Sequence, residues 1–409
     1  MDEVEVPSYF LCPITLEIMK DPVTIPTGIT YDRESIERWL FSPSSSSASA
    51  CPVTKQHVPV DCELTPNHTL RRLIQSWCVI NASRGVQRIP TPKAPVSRSQ
   101  VAKLIREAAK SPQSKLASLR RLKSIASHSN ANKLCLESAG AVEFLASIIR
   151  EPAVAPLTDE ALILFYSLHI SDAKLRNLAE TDFAGSLMRA MQIGNDESRA
   201  YAVMLLNKML EVSEPAKITG QVSTNQLFAE LVQVLRDRIS PRATKAALKL
   251  LVHLSPFSRT RIMVLEAGAV PVLIELLLEH SNSSSDDIKV CEMVMVVMDT
   301  LCQRAEGRAE LLGHAAGIAV VSNMMLRVSH LATERAVRIL LSVSNFSGTP
   351  RVLEDMLQVG VVAKLCLVLQ VECNSKTKEK AAETLKVNAR YWKKLPCLPS
   401  CFLASYPSC

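Results

Sequence analysis

Residues 7–40 read PSYFLCPITLEIMKDPVTIPTGITYDRESIERWL, and residues 50–78 read ACPVTKQHVPVDCELTPNHTLRRLIQSWC. Two tetrads stand out, Cys12-Pro13-Ile14-Thr15 and Cys51-Pro52-Val53-Thr54. Each opens with the cysteine of a structural zinc site, but a threonine stands where the C-x-x-C partner belongs. Residues 1–80 offer only Cys12, Cys51, Cys62, Cys78, His57 and His68, with no C-x-x-C pair. No metal and no cofactor are expected. A nucleophilic thiol needs a base and an electropositive setting. Cys12 and Cys51 are each followed by proline, with no histidine at a telling distance, so both read as buried structural residues. No G-x-S-x-G, P-loop or H-E-x-x-H pattern occurs.

Between the tetrads, Val23-Thr24-Ile25 and Ile29-Thr30-Tyr31 flank Pro26-Thr27-Gly28, a hairpin signal with glycine in the turn. Asp32 reads as an N-cap. Ile36, Trp39 and Leu40 follow at helical spacing. Ser42–Ala50 reads as a serine-rich surface loop. Asn67 reads as a second cap, before a helix lined by Leu70, Leu73, Ile74 and Trp77. Residues 81–100 hold three prolines and no apolar period, and read as a linker.

The whole chain sets wider bounds. Its 409 residues are 47% apolar but only 4% aromatic, the filling of packed helices, and only 12 are glycine, which disfavours a strand-rich chain. The start, MDEVEVPSYF, is acidic and lacks an apolar h-region, so no signal peptide is expected. Val290–Met298 and Leu311–Leu326 are too short or too interrupted to span a bilayer. The 12 cysteines form no even framework and read as reduced thiols of a cytosolic or nuclear protein. The net charge of +7 is concentrated: residues 84–123 carry eleven Lys or Arg and one acid, Glu107. That run is either a solvated linker and first helix, or a contact for an acidic partner or an anionic lipid surface. Nucleic acid is not expected, because no aromatic residue is interleaved to stack on bases.

From residue 101 a repeat sets in. ESAGAVEFLASIIR (137–150), LEAGAVPVLIELLLE (265–279), HAAGIAVVSNMML (314–326) and LQVGVVAKLCLVL (357–369) share a glycine ahead of an amphipathic run. Gly268, Gly317 and Gly360 stand one period of roughly 40–50 residues apart, and Gly140 about three periods before Gly268. Two degenerate copies, 179–191 and 224–235, fill that gap. A leucine-rich helix precedes each copy, and Lys376–Lys394 reads as a cap. One repeat cannot bury its apolar stripe alone, so the units must stack; the glycine lets the chain turn sharply between helices. This pattern resembles armadillo repeats, with HEAT repeats the nearest alternative at this period. A ladder of Trp and Asn, as in nuclear-import grooves, is missing: the only Trp beyond residue 80 is Trp392. His169, His253, His314 and His330 read as satisfied or surface histidines.

The first stretch resembles the U-box, the zinc-free relative of the RING domain. The resemblance rests on Cys12-Pro13-Ile14, Glu17 to Val23, Gly28 to Arg33, Ile36 to Leu40, Cys51 to Thr54 and Pro66 to Arg71. With repeats behind it, the chain resembles plant U-box/armadillo ubiquitin ligases of the short class. The fold this implies is mostly α: a small α+β U-box at 5–79, a basic linker at 80–100, an armadillo-type α-solenoid of about six repeats at 101–395, and a tail at 396–409.

By the same resemblance, hydrogen bonds and salt bridges replace the zincs, with Glu17, Lys20, Asp21, Asp32, Arg33 and Glu34 supplying the charges. The U-box docks a ubiquitin-charged conjugating enzyme (E2) on Pro13, Ile14, Trp39 and Pro52, with no covalent intermediate on this chain. For Trp39, packing with Ile36 and Leu40 is the competing role. Lys55 stands where the family places a cation that restrains donor ubiquitin; a plain surface charge is the alternative. Cys12, Cys51, Asp32 and Arg33 are structural. The repeats hold protein substrates, and a U-box homodimer is a further expectation. The resemblance also implies a cytoplasmic ligase, with nuclear or peripheral-membrane pools, in plant stress or immune signalling. The alternative is a non-catalytic armadillo scaffold.

Overall fold

The computed structural model describes residues 5–40, 50–59, 62, 64–87, 89, 96–108, 111–151, 155–168, 170–255, 258–280 and 284–392. Residues 42–49 of the serine-rich loop, His169 and the tail at 396–409 lie outside them. The chain divides into two compact units, Met1–Ile148 with Leu164–Ile170, and Ile149–Ile163 with Ser171–Cys409.

The first unit begins with a three-stranded sheet, β1 (Pro22–Thr24), β2 (Thr30–Asp32) and β3 (Thr65–Pro66), in the order β2-β1-β3 and antiparallel throughout. Val23 faces Tyr31 across one ladder and Pro66 across the other. The hairpin forms as its turn residues require, with Gly28 at φ 83°. Helix α1 (Arg33–Leu40) lies between the tetrads, and α2 (His68–Ile80) closes the module. Asn67 caps α2 as expected, its side-chain oxygen accepting the Leu70 N–H at 3.0 Å. The core holds Phe10, Cys12, Met19, Val23, Ile25, Tyr31, Ile36, Leu40, Cys51, Val58, Ile74 and Cys78.

Asp32 does something other than cap α1. Its Oδ1 accepts the N–H groups of Lys20 and Asp21 at 2.8 and 2.9 Å, tying the chain ahead of β1 to the end of β2. Asp21 in turn takes Arg33 Nε at 2.7 Å and lies 3.6 Å from Arg71 Nη1. The brace is therefore Asp21, Asp32, Arg33 and Arg71, and of these Arg71 was not among the expected charges. Glu17, Lys20 and Glu34 are exposed; Glu34 pairs with Arg38 at the surface, where ion pairs contribute little.

Part of the expected linker has a structure of its own. A 3₁₀ turn at Ala82–Arg84 ends at Gly85, at φ 90°, and Val86 and Ile89 pack back on the U-box core. The first unit continues with α3 (Arg98–Ala108), α4 (Pro112–His128), α5 (Asn130–Ser138) and α6 (Ala141–Arg150). Helix α7 (Ala155–Ser167) follows.

The second unit is built from α8 (Asp172–Ala179), α9 (Phe183–Ile193), α10 (Asp196–Val212), α11 (Pro215–Thr219), α12 (Thr224–Asp237), α13 (Pro241–Leu254), α14 (Ser258–Glu266) and α15 (Ala269–Glu279). It continues with α16 (Ser285–Cys302), α17 (Ala305–Gly313), α18 (Gly317–Met324), α19 (His330–Ser347), α20 (Pro350–Gln358), α21 (Val361–Gln370), α22 (Ser375–Val387) and α23 (Ala389–Trp392). The long helices α10, α13, α16, α19 and α22 pack each against the next, and α9, α12, α15 and α18 form a second row. Leu, Val, Ala and Met fill the space between the rows. Buried Asp299 on α16 receives Arg335 and Arg338 of α19 at 3.0 and 2.8 Å, pinning one repeat to the next.

Three of the four phased glycines, Gly140, Gly268 and Gly360, sit at positive φ just ahead of α6, α15 and α21. Gly317 does not turn the chain that way; a Cβ there would overlap the Leu311 carbonyl oxygen, so the constraint is close backbone approach. The expected cap is two helices, because α22 ends at Val387 and α23 starts after Asn388. Trp392 is fully buried and donates its indole N–H to the Leu353 carbonyl at 2.9 Å.

The brace can be tested by chemical denaturation. Asp32→Ala orphans two amides and should lower stability by about 2–3 kcal/mol, whereas Glu34→Ala should leave the midpoint unchanged.

Candidate functional site

The two tetrads adopt one backbone form. At the first, the Leu16 N–H donates to the Cys12 carbonyl at 2.8 Å, and the Cys12 N–H to the Glu17 carbonyl at 2.8 Å. At the second, Lys55 donates to the Cys51 carbonyl at 3.0 Å, and Cys51 to the Gln56 carbonyl at 2.8 Å. Each loop ends in a left-handed residue, Leu16 at φ 58° and Lys55 at φ 59°. For a side-chain-bearing residue that conformation costs on the order of 1–2 kcal/mol.

Both sulfurs lie inside the loops, fully buried, and neighbouring residues of β2 reach them. The Asp32 N–H donates to Cys12 Sγ at 3.4 Å. The Tyr31 hydroxyl lies 3.0 Å from Cys51 Sγ and accepts the Val53 N–H at 3.3 Å. Cys51 Sγ also accepts the Thr27 hydroxyl at 3.5 Å and the Thr54 N–H at 3.4 Å. Burial pushes the Cys51 thiol up, but the hydrogen bonds from Thr27, Thr54 and Tyr31 outweigh it and bring its pKa down to about 6. The donors around Cys51 Sγ favour its thiolate form and hold the sulfur where zinc would hold a metal-bound one. Tyr31 is pushed the other way, by burial and by its bond to Cys51. Tyr31 and Thr27 carry no motif spacing, which is why the sequence reading passed over them.

The outward face of the loops is apolar. Leu16 is 73% exposed and Val53 50%. Pro13 is exposed, and Pro52 and Ile14 are half-buried, with Ile14 packed against the core. Trp39 is half-buried too; it packs on the same core and donates its indole N–H to the Ala50 carbonyl at 2.9 Å, beside the second loop. Leu16 and Val53 were missed because nothing in their spacing says which way they turn; only the backbone of the loop does. Lys55 is exposed beside Val53 and Thr54. Among the described residues no cluster of three or more His, Cys, Asp or Glu is arranged for a metal ion. In the array, His253 and His330 are exposed, and half-buried His314 lies 3.4 Å from the Glu275 carboxylate.

Two family models match the chain: the U-box domain over residues 6–83, and the plant U-box protein ARM repeat region over residues 100–408. The chain is 53% identical to E3 ubiquitin-protein ligase PUB23 of Arabidopsis thaliana, over 99% of its length and 98% of the relative's. It is 49% identical to E3 ubiquitin-protein ligase PUB22 of the same plant, over 99% of both, and 36% identical to PUB24, over 97% and 95%. A designed armadillo repeat protein of solved structure covers 70% of the chain at 18% identity and a TM-score of 0.34.

The depressed Cys51 pKa sets a pH signature. The thiolate contributes stability that is fully present above the ordinary thiol pKa of about 9 and is lost as pH falls through about 6. The melting-temperature gap between wild type and Cys51→Ala should therefore shrink from pH 9 to pH 6. A gap that is flat over that range would mean a neutral thiol.

Proposed function

The chain belongs to the plant U-box family with an armadillo repeat region, and on that premise we propose how its two loops perform ubiquitin transfer. It is an E3 ubiquitin-protein ligase: the U-box engages a ubiquitin-charged E2, and the repeats bind protein partners. The reacting thiol is the E2's. Cys12 and Cys51 only shape the loops, since both are buried and hydrogen-bonded.

In this reading Ile14, Leu16, Pro52 and Val53 form the docking surface for the E2, with Pro13 at its edge and Trp39 both supporting and touching it. The matched strained turns with outward apolar residues are the observation that carries it. An apolar side chain buried on docking contributes roughly 1.5–3 kcal/mol, so a few such residues suffice for a transient complex. Lys55, in its left-handed turn, restrains donor ubiquitin and narrows the geometries from which the acceptor amine attacks. An ammonium bridges two proteins less well than a guanidinium fork, so Lys55→Arg should speed transfer.

Three finer points belong to the same reading. Leu73, Val79 and Ile80 on α2 and Tyr9 are exposed at 52, 52, 77 and 62%, an apolar face suited to pairing with a second U-box. Arg98, Lys103 and Arg106 on α3 are exposed cations, suited to an acidic partner or anionic lipid. The protein acts in the cytoplasm, in plant stress or immune signalling.

Glycine substitution separates function from fold. Leu16→Gly and Lys55→Gly relieve the left-handed strain while deleting the side chain, so both should melt no lower than wild type. Leu16→Gly should weaken E2 binding about tenfold or more. Lys55→Gly should leave that affinity unchanged and slow ubiquitin discharge to free lysine. Full activity in Leu16→Gly would remove the first loop from the site.

A further inference from the structure

Helix α1 does not end its work inside the U-box. Glu37, next to core residue Ile36, is 2% exposed. Its Oε1 has no hydrogen-bond partner and lies 3.9 Å from Arg33 Nη1. Burial raises its pKa; the neighbouring Arg33 and then the backbone N–H of Ala131 pull it back, which sets the start of α5 beside this carboxylate. Ala131 is the second residue of α5, in the first repeat, and α1 and α5 pack against each other.

Helix α5 lacks an anion of its own at that end. Ser129 caps it, its Oγ accepting the Asn132 N–H at 3.1 Å, but no acid stands in the first turn. A helix N-terminus leaves N–H donors unpaired and carries about half a positive charge. Glu37 supplies the missing carboxylate from another module. The chain entering α3 holds α5 as well. The Val96 N–H donates to Asn132 Oδ1 at 3.3 Å, and Cys135 Sγ donates to the Val96 carbonyl at 3.3 Å. A buried carboxylate is a poor source of stability compared with an apolar side chain of the same size. What it adds is a single register, because only one placement of α1 brings it onto the Ala131 amide.

We propose that Glu37 is a positioning residue that caps α5 and so fixes the U-box against the first armadillo repeat, presenting a bound E2 in one orientation to the adjoining repeat. This rests on the ligase reading above. A tether would sweep the E2 over many lysines; a capped joint restricts which lysines the charged thioester can reach.

Three full-length variants test it: Glu37→Ala, Glu37→Gln and Ala131→Pro. The proline removes the donor in a first turn, where it is tolerated, and lies outside the U-box. Discharge of charged E2 to free lysine reports the U-box alone. Trypsin cleavage at Arg84 and Arg98, both exposed, reports the joint, and mass spectrometry maps the self-modified lysines. Lysine discharge should match wild type in Ala131→Pro. Cleavage should quicken about tenfold in Glu37→Ala and Ala131→Pro, the factor of one lost cap, with Glu37→Gln between. The modified lysines should spread to new positions. Wild-type cleavage rates and an unchanged lysine map in Ala131→Pro would overturn the proposal; a wild-type protein inert in lysine discharge would instead overturn the ligase reading.

Discussion

Two neighbouring residues of one short strand hold the working end of this protein together. Tyr31 reaches Cys51 through its hydroxyl, and Asp32 reaches Cys12 through its backbone N–H. Because the two residues are adjacent on β2, the loops they grip are set at a fixed spacing. In a zinc-braced relative a metal ion would do this by coordinating thiolates. Here hydroxyl and amide donors satisfy the sulfurs, and the Asp21–Arg33–Arg71 charges with the Asp32 carboxylate close the remaining gaps. Such a brace is local. Each bond contributes only about 1 kcal/mol net, so the loops depend on all of them being made together.

The consequence is carried outward by backbone strain. Leu16 and Lys55 accept a left-handed conformation because the bonds behind them over-determine the turn. The same twist that strains them turns Leu16 and Val53 to solvent as apolar contacts. The donor network, the strain and the proposed docking surface are thus one mechanical unit. Helix α1 joins that unit to the array, since it carries Trp39 toward the second loop and packs against α5.

Much of this was legible in the residues. The tetrads announced the loops, the glycine phasing announced the stacked helices, and Asn67, Gly28 and the Ile36/Leu40 stripe took the places that local rules assign them. What escaped has a common cause: side chains whose role is set by tertiary direction. Asp32 has an N-cap's position but points back to Lys20 and Asp21. Arg71 sits fifty residues beyond Asp21, on a helix where its spacing says nothing of that partner. Leu16 and Val53 read as ordinary apolar residues. Gly317 shares the phase of its three counterparts yet answers to a steric contact instead of a turn. Glu37 looks like any solvent-facing acid of a short helix until α5 is placed over it.

The most direct measurement removes one oxygen atom. Tyr31→Phe keeps the ring in the core but deletes the hydroxyl that joins Cys51 Sγ to the Val53 N–H. Affinity for a charged E2, measured alongside the melting temperature, should fall about tenfold while the U-box stays folded, losing roughly 1–3 kcal/mol. Unchanged affinity in a folded Tyr31→Phe protein would contradict the claim that the sulfur-centred network sets the loops.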